Sequence, residues 1–337
     1  MSLRRRPVAG CGRRLRSKRA LHPLFALLTC AGAVFADGPD ARGATTYRNP
    51  LRGLEGLADP FVLVHNGRYL LFAMARGSSY PVFESLDLVN WRRRGDCWSD
   101  PRGGLWAPEV LAATDGRFYL YYTANEKEGS GGLEKVIGVA VGERPEGPYR
   151  DATDLRSRAI DAHPFLDTDG RLYLYYADLS HGFRIMGQPM ADPRRPAGEP
   201  VELIRPTAPW ETAHGRVTEG PFMLRRGSTY YLMYSGSGAD SPHYAIGYAT
   251  ASSPLGPFRK YPGNPIARAG QGVFGPGHHC VVRGPDGGWW MIYHQKADDA
   301  INFRRFLALD PLRFEPDGTI RVEVTRGVDR AVPRSRP

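Results

Sequence analysis

The chain has 337 residues, 42% hydrophobic and 24% charged, with a formal net charge of +10. That charge invites a nucleic-acid or membrane partner, but residues 1–36 hold seven Arg and one Lys with no acid, leaving 37 basic against 35 acidic residues elsewhere. A body this close to neutral excludes the polyanion-binding class, and the one apolar stretch, Leu24–Phe35, is too short to span a bilayer.

In chain order, residues 1–36 read as a signal peptide: a basic stretch, an apolar core, then Val34 and Ala36 at positions that suit cleavage. The protein is therefore expected to be secreted or periplasmic, with no membrane association once the leader is removed, though the export route stays open. Residues 37–46 read as a short linker, 47–325 as the folded domain and 326–337 as a C-terminal tail.

Within the domain one phrase recurs five times, a turn pair followed by an aromatic-rich strand. The copies begin at Asn66-Gly67, Asp115-Gly116, Asp169-Gly170, Arg226-Gly227 and Asp286-Gly287. Each reads as a two-residue hairpin turn entering a strand. The spacing of roughly 50–60 residues is that of a β-propeller blade, not of a helical solenoid. A second repeat agrees: Gly138-Val139-Ala140 leads to Pro145-Glu146-Gly147-Pro148, and Gly247-Tyr248-Ala249 leads to Pro254-Leu255-Gly256-Pro257 at the same offsets. The expected fold is all-β, a five-bladed propeller of antiparallel four-stranded blades around a central channel. Of the four Cys, two fall in the leader. Cys97 and Cys280 carry no metal spacing and read as two buried thiols.

Upstream of each hairpin phrase lies a segment with Pro or His beside a carboxylate or a second His. These are Ala58-Asp59-Pro60, Trp106-Ala107-Pro108-Glu109, Asp161-Ala162-His163-Pro164, Glu219-Gly220-Pro221 and Gly277-His278-His279. If each opens the innermost strand of a blade, Asp59, Asp161, Glu219 and a His share the channel mouth, with Glu109 nearby. Three carboxyls in one site push at least one pKa upward, which prepares an acid for work near neutral pH. Glu109, which follows its Pro, reads as structural, holding backbone or a neighbouring Arg.

The order and spacing of these segments resemble glycoside hydrolase family 43 over nearly all of residues 47–325. The resemblance implies a five-bladed propeller that hydrolyses glycosidic bonds with inversion, mostly in arabinose- and xylose-containing plant polysaccharides. It implies Asp59 as general base, Glu219 as general acid and Asp161 as the carboxylate that orients the acid and tunes its pKa. It implies Trp106, Arg305 and His278 as substrate-binding positions. No cofactor is expected for the chemistry, while His278 would help hold a structural calcium ion in the channel. The expected partner is a carbohydrate, and the expected enzyme an exo-acting α-L-arabinofuranosidase or β-xylosidase. An inactive carbohydrate-binding propeller, an endo-arabinanase, or another five-bladed carbohydrate enzyme such as a retaining fructan hydrolase or a phosphorylase are the alternatives.

Overall fold

A computed structural model of the chain describes residues 45–334. The leader expected at 1–36 and most of the linker lie outside these residues. Among the described residues no helix is long and apolar enough to cross a membrane.

Five antiparallel sheets form the blades. Blade I comprises β2 (Ala58–His65), β3 (Arg68–Met74), β4 (Ser79–Ser85) and β5 (Arg92–Ser99). Blade II comprises β6 (Trp106–Ala112), β7 (Phe118–Asn125), β8 (Lys135–Gly142) and β9 (Arg150–Ser157). In blade III, β10 (Ala159–Leu166), β11 (Leu172–Asp178) and β12 (Arg184–Asp192) are followed by an outer strand broken into β13 (Arg195–Pro196) and β14 (Val201–Ile204), both paired with β12. Blade IV holds β15 (Thr218–Arg226), β16 (Thr229–Gly236), β17 (Ala245–Ala251) and β18 (Arg259–Lys260). Blade V holds β19 (Gly277–Arg283), β20 (Trp289–Lys296), β21 (Arg305–Phe314) and β22 (Ile320–Val322).

Every hairpin phrase joins the first and second strands of its blade, as expected. The turns are not all of one size. Asn66-Gly67 and Gly227-Ser228 are two-residue connections, but the three Asp-Gly copies are wider, closed by Ala113 N–H to Arg117 O, Asp167 N–H to Arg171 O and Gly284 N–H to Gly288 O, each at 2.9 Å. The cause is the Asp side chain: Asp115, Asp169 and Asp286 each accept the backbone N–H two residues on at 3.0 Å, which builds a local turn of its own.

The second strands are buried on both faces because each blade is sandwiched between two others, and every residue of β7 is buried. Their aromatic rings wedge between blades. Trp98 of blade I stacks on Tyr122 of blade II with ring centroids 4.3 Å apart. Burying an aromatic side chain of this kind stabilises by roughly 2–3 kcal/mol, so the inter-blade rings hold the ring of blades together. Cys97 and Cys280 are both buried and unpaired.

The two ends of the described chain meet at blade V. β1 (Thr46–Tyr47) pairs with β23 (Arg330–Ala331), which lies in the segment expected as a tail. Beneath them the Asp310 carboxylate accepts from Thr325 Oγ1 (2.7 Å), Tyr293 OH (2.8 Å), Thr325 N–H (2.9 Å) and Asn49 Nδ2 (3.1 Å). This buried cluster ties the entry strand, blade V and the exit segment together.

Candidate active site

The first strands β2, β6, β10, β15 and β19 open at the channel mouth, and each begins with the same irregularity. Pairing to the second strand slips by one residue, between Ala58 and Phe61, Trp106 and Glu109, Ile160 and His163, Glu219 and Phe222, and Gly277 and His279. At each slip one residue takes a left-handed backbone: Asp59 (φ 48°), Ala107 (44°), Asp161 (60°), Gly220 (56°) and His278 (42°). A bulge of this kind re-aims side chains, here into the channel. It also divides the three carboxylates between two positions of the repeat. Asp59 and Asp161 sit at the bulge itself. Glu219 sits one position earlier, equivalent to Trp106, and leaves the left-handed position to a glycine.

One cavity of about 380 Å³ collects these residues, with side chains from all five blades on its wall. Asp59, Trp106, Asp161, Glu219, His278 and Arg305 all line it. So every site residue named from the sequence converges.

Asp59 is buried beside three basic groups. Arg305 Nη1 and His294 Nδ1 each lie 3.2 Å from its Oδ1, and His278 Nδ1 lies at 3.6 Å. Burial alone would raise its pKa, but His278, Arg305 and His294 outweigh burial and hold the carboxyl well below the usual carboxylate range. Burial in turn pushes His278 down and His294 down to about 3. Arg305 is therefore the permanent cation that keeps Asp59 ionised.

Glu219 goes the other way. Burial raises it to about 7, helped by the charges of Asp59 and Asp240 and opposed by a hydrogen bond from Tyr244 and by Arg305. Tyr244 OH donates to Glu219 Oε1 at 2.8 Å. Asp161 is pushed well above its ordinary value by burial first, then by the charges of Glu219 and Asp59. Its Oδ2 accepts the Gly220 N–H at 2.9 Å, so it fixes the backbone next to Glu219. The negative charge of Glu219 opposes ionisation of Asp161, so the two resist being charged together.

Trp106 carries the Lys135 ammonium 3.7 Å from its ring centroid, and that ammonium also donates to Asn125 Oδ1 at 2.7 Å. Arg305, not Arg304, faces the cavity, since Arg304 pairs with Asp298 at 2.9 Å on the surface. Glu109 does hold a partner, but it is His163, whose Nδ1 lies 2.7 Å from Oε2, and not an Arg. The Met223 N–H donates to His163 Nε2 at 2.9 Å, which leaves Nδ1 to donate to Glu109.

Three residues at the site have no signal in the sequence. Tyr244 sits after a loop in blade IV, and its ring stacks on His294 with centroids 5.5 Å apart. It crosses the start of β19 so closely that a Cβ on Gly277 would meet it at 1.9 Å. His294 lies two residues before the end of β20, opposite Gly277. Asp240 follows β16 and adds a fourth carboxylate to the cavity wall.

Calcium takes six to eight oxygen ligands. Around His278 the nearest charged neighbours are Asp59 and Asp161, at 3.6 and 3.9 Å from Nδ1, and Asp59 is already engaged by Arg305 and His294. Among the described residues no three His, Cys, Asp or Glu gather as metal ligands. The residues present do not fit a side-chain calcium cage.

The family model for glycosyl hydrolases family 43 matches residues 47–320. A β-D-galactofuranosidase of Aspergillus niger is 29% identical over 294 residues, covering 78% of this chain and 81% of its own. An extracellular exo-α-(1→5)-L-arabinofuranosidase of Streptomyces avermitilis is 26% identical over 330 residues, covering 88% of this chain and 66% of its own. Among solved structures, a thermostable family-43 glycoside hydrolase superposes with a TM-score of 0.78 at 34% identity, covering 86% of this chain and all of the other. The chain, a five-bladed propeller with its carboxyls gathered at the channel mouth, belongs to glycosyl hydrolases family 43 and is a glycosidase.

Proposed function

We propose that the enzyme releases single α-L-arabinofuranosyl or β-D-xylosyl units from plant-type glycans, with inversion, outside the cell. The carrying observation is the opposed protonation of two carboxyls in one cavity: Asp59 held ionised by Arg305, Glu219 held at about 7 by burial. Glycoside hydrolysis of either stereochemistry needs that combination, and inversion is the outcome that the family resemblance implies. Asp59 takes a proton from water as the water oxygen attacks the anomeric carbon. Glu219 gives its proton to the leaving-group oxygen as that bond breaks. Asp161 holds the acid in place through Gly220, Trp106 offers a ring to a sugar face, and Arg305 and His278 border the bound unit.

Exo action is supported by the shape of the site, one cavity ringed by all five blades, and by relatives named as exo-arabinofuranosidases. A xylosidase/arabinosidase of Humicola insolens, 30% identical over 260 residues, supports the pentose class. Export rests on the layout of residues 1–36 and on the extracellular relatives. N-terminal sequencing of exported protein checks it, with a start near Asp37 expected. The calcium that the family resemblance implies enters only as a channel ion beside His278 held largely by water, and elemental analysis of the purified protein decides it.

One assay tests the whole reading: the mature protein against aryl arabinofuranosides, xylosides and galactofuranosides, with arabinan and arabinoxylan. Proton NMR of the first sugar released reports its anomer. A product of retained configuration overturns inversion, and no turnover of any glycoside returns the chain to the inactive-binder class.

A further inference from the structure

Asp240 is a charged group on the cavity wall that the three-carboxyl chemistry does not use. It sits on the loop after β16, and its surroundings fix it there. His214 Nε2 lies 3.3 Å from Oδ1. The carboxylate folds back over Gly238, where a Cβ would lie 2.7 Å from Oδ1 and 2.9 Å from the His214 ring, so only glycine leaves room for this pose. The loop backbone is tied across the mouth to blade V: the Asn302 N–H donates to Asp240 O at 2.9 Å, and the buried Lys296 ammonium donates to Asn302 O. Oδ2 makes no hydrogen bond or ion pair with any described residue.

A carboxylate on a cavity wall, with a His ring beside it and no hydrogen bond of its own among the described residues, can accept one from something that enters. Its depth says from what. The Asp240 side chain keeps 28% of its exposure, whereas Glu219 is buried at 8%. Asp240 therefore stands outward of the proposed acid, and in a pocket that holds one released unit the leaving group extends outward as well. The same rim carries exposed Phe303 and Leu133, which also line the cavity and present only apolar surface.

We infer that Asp240, positioned by His214, accepts a hydroxyl of the first sugar on the leaving-group side of the scissile bond. It makes the enzyme select hydroxyl-bearing sugar leaving groups over apolar ones. The inference rests on the assignment of Glu219 as the acid. It identifies Asp240 as a specificity-determining residue and His214 as a positioning residue that acts through it.

The test compares two substrates on Asp240→Asn and Asp240→Ala. One is a pentose disaccharide that the wild type cleaves, the other the aryl glycoside of the same non-reducing sugar. Measurement at about pH 5 keeps Glu219 protonated, so the field of Asp240 on Glu219 does not enter. The expected result is a KM for the disaccharide raised roughly 10-fold or more, with a kcat/KM loss on the aryl glycoside at least about 10-fold smaller. His214→Ala should give a partial version of the same split. If Asp240→Ala fails to fold, the nearly isosteric Asp240→Asn carries the test. Equal losses on both substrates, or a loss confined to kcat, overturn the inference. A wild type that cleaves no glycoside of the panel overturns the proposed function instead, so the two failures are distinguishable.

Discussion

Arg305 and Asp59, 246 residues apart in the chain, meet with Nη1 3.2 Å from Oδ1. Blade V thereby supplies the cation that keeps a carboxylate of blade I ionised inside a buried cavity. The same guanidinium lowers Glu219. Arg305→Gln removes a positive charge from both, so both pKa values should rise. The pH profile of kcat/KM, which reports the free enzyme, should move to higher pH on both limbs. Activity at the new optimum should fall on the order of 10²-fold through misplacement of Asp59.

Tyr244→Phe offers a sharper contrast. The Tyr244 hydroxyl hydrogen bond favours ionised Glu219, so its removal should raise the pKa of Glu219 above about 7. The high-pH limb should move up while the low-pH limb, set by Asp59, stays in place. A low-pH limb that moved by as much would show that the two limbs are not set by separate groups.

The roles of acid and base separate by leaving group. Glu219→Gln removes the proposed proton donor, and cleavage of natural sugars should collapse by roughly 10²–10⁴-fold. An aryl glycoside with an acidic phenol needs little protonation and should be spared by comparison. Asp59→Asn removes the proposed base and should slow both substrate types alike. Steady-state kinetics on the pair decide the matter, and an inverse pattern would exchange or dismiss the assignments.

The closure of the ring predicts a stability effect far from the chemistry. Asp310→Ala leaves Tyr293 OH and the Thr325 and Asn49 donors without their acceptor, which should cost about 3 kcal/mol in denaturant unfolding. Burial pushes Asp310 up to about 6. A carboxyl raised in the folded state stabilises fully below its unfolded pKa of about 3.9, and that contribution is lost as pH rises through the folded value. The gap in Tm between wild type and Asp310→Ala should therefore be wider near pH 4.5 than near pH 7.

The sequence by itself determined the number of blades and the residues with a direct chemical signature. Turn chemistry is local, so Asn66-Gly67 and the Asp-Gly pairs mark their hairpins whatever lies around them, and Asp59, Asp161 and Glu219 stand out because each opens a strand beside Pro or Ala-His. The positions that partner them were not legible. Tyr244 reaches Glu219 across 25 residues and His294 reaches Asp59 across 235, and neither spacing repeats in the chain. Such contacts exist only once five blades close a ring and bring their strand ends to one axis. The same closure decided which of Arg304 and Arg305 turns inward, and gave Glu109 a His as partner. It placed Glu219 one residue before the bulge that Asp59 and Asp161 occupy, because a left-handed position at Gly220 is a property of backbone geometry, not of the carboxylate pattern. Protonation was decided there too: three similar carboxyls in the sequence become one ionised and two raised because all three are buried while Arg305 forms its direct ion pair with Asp59.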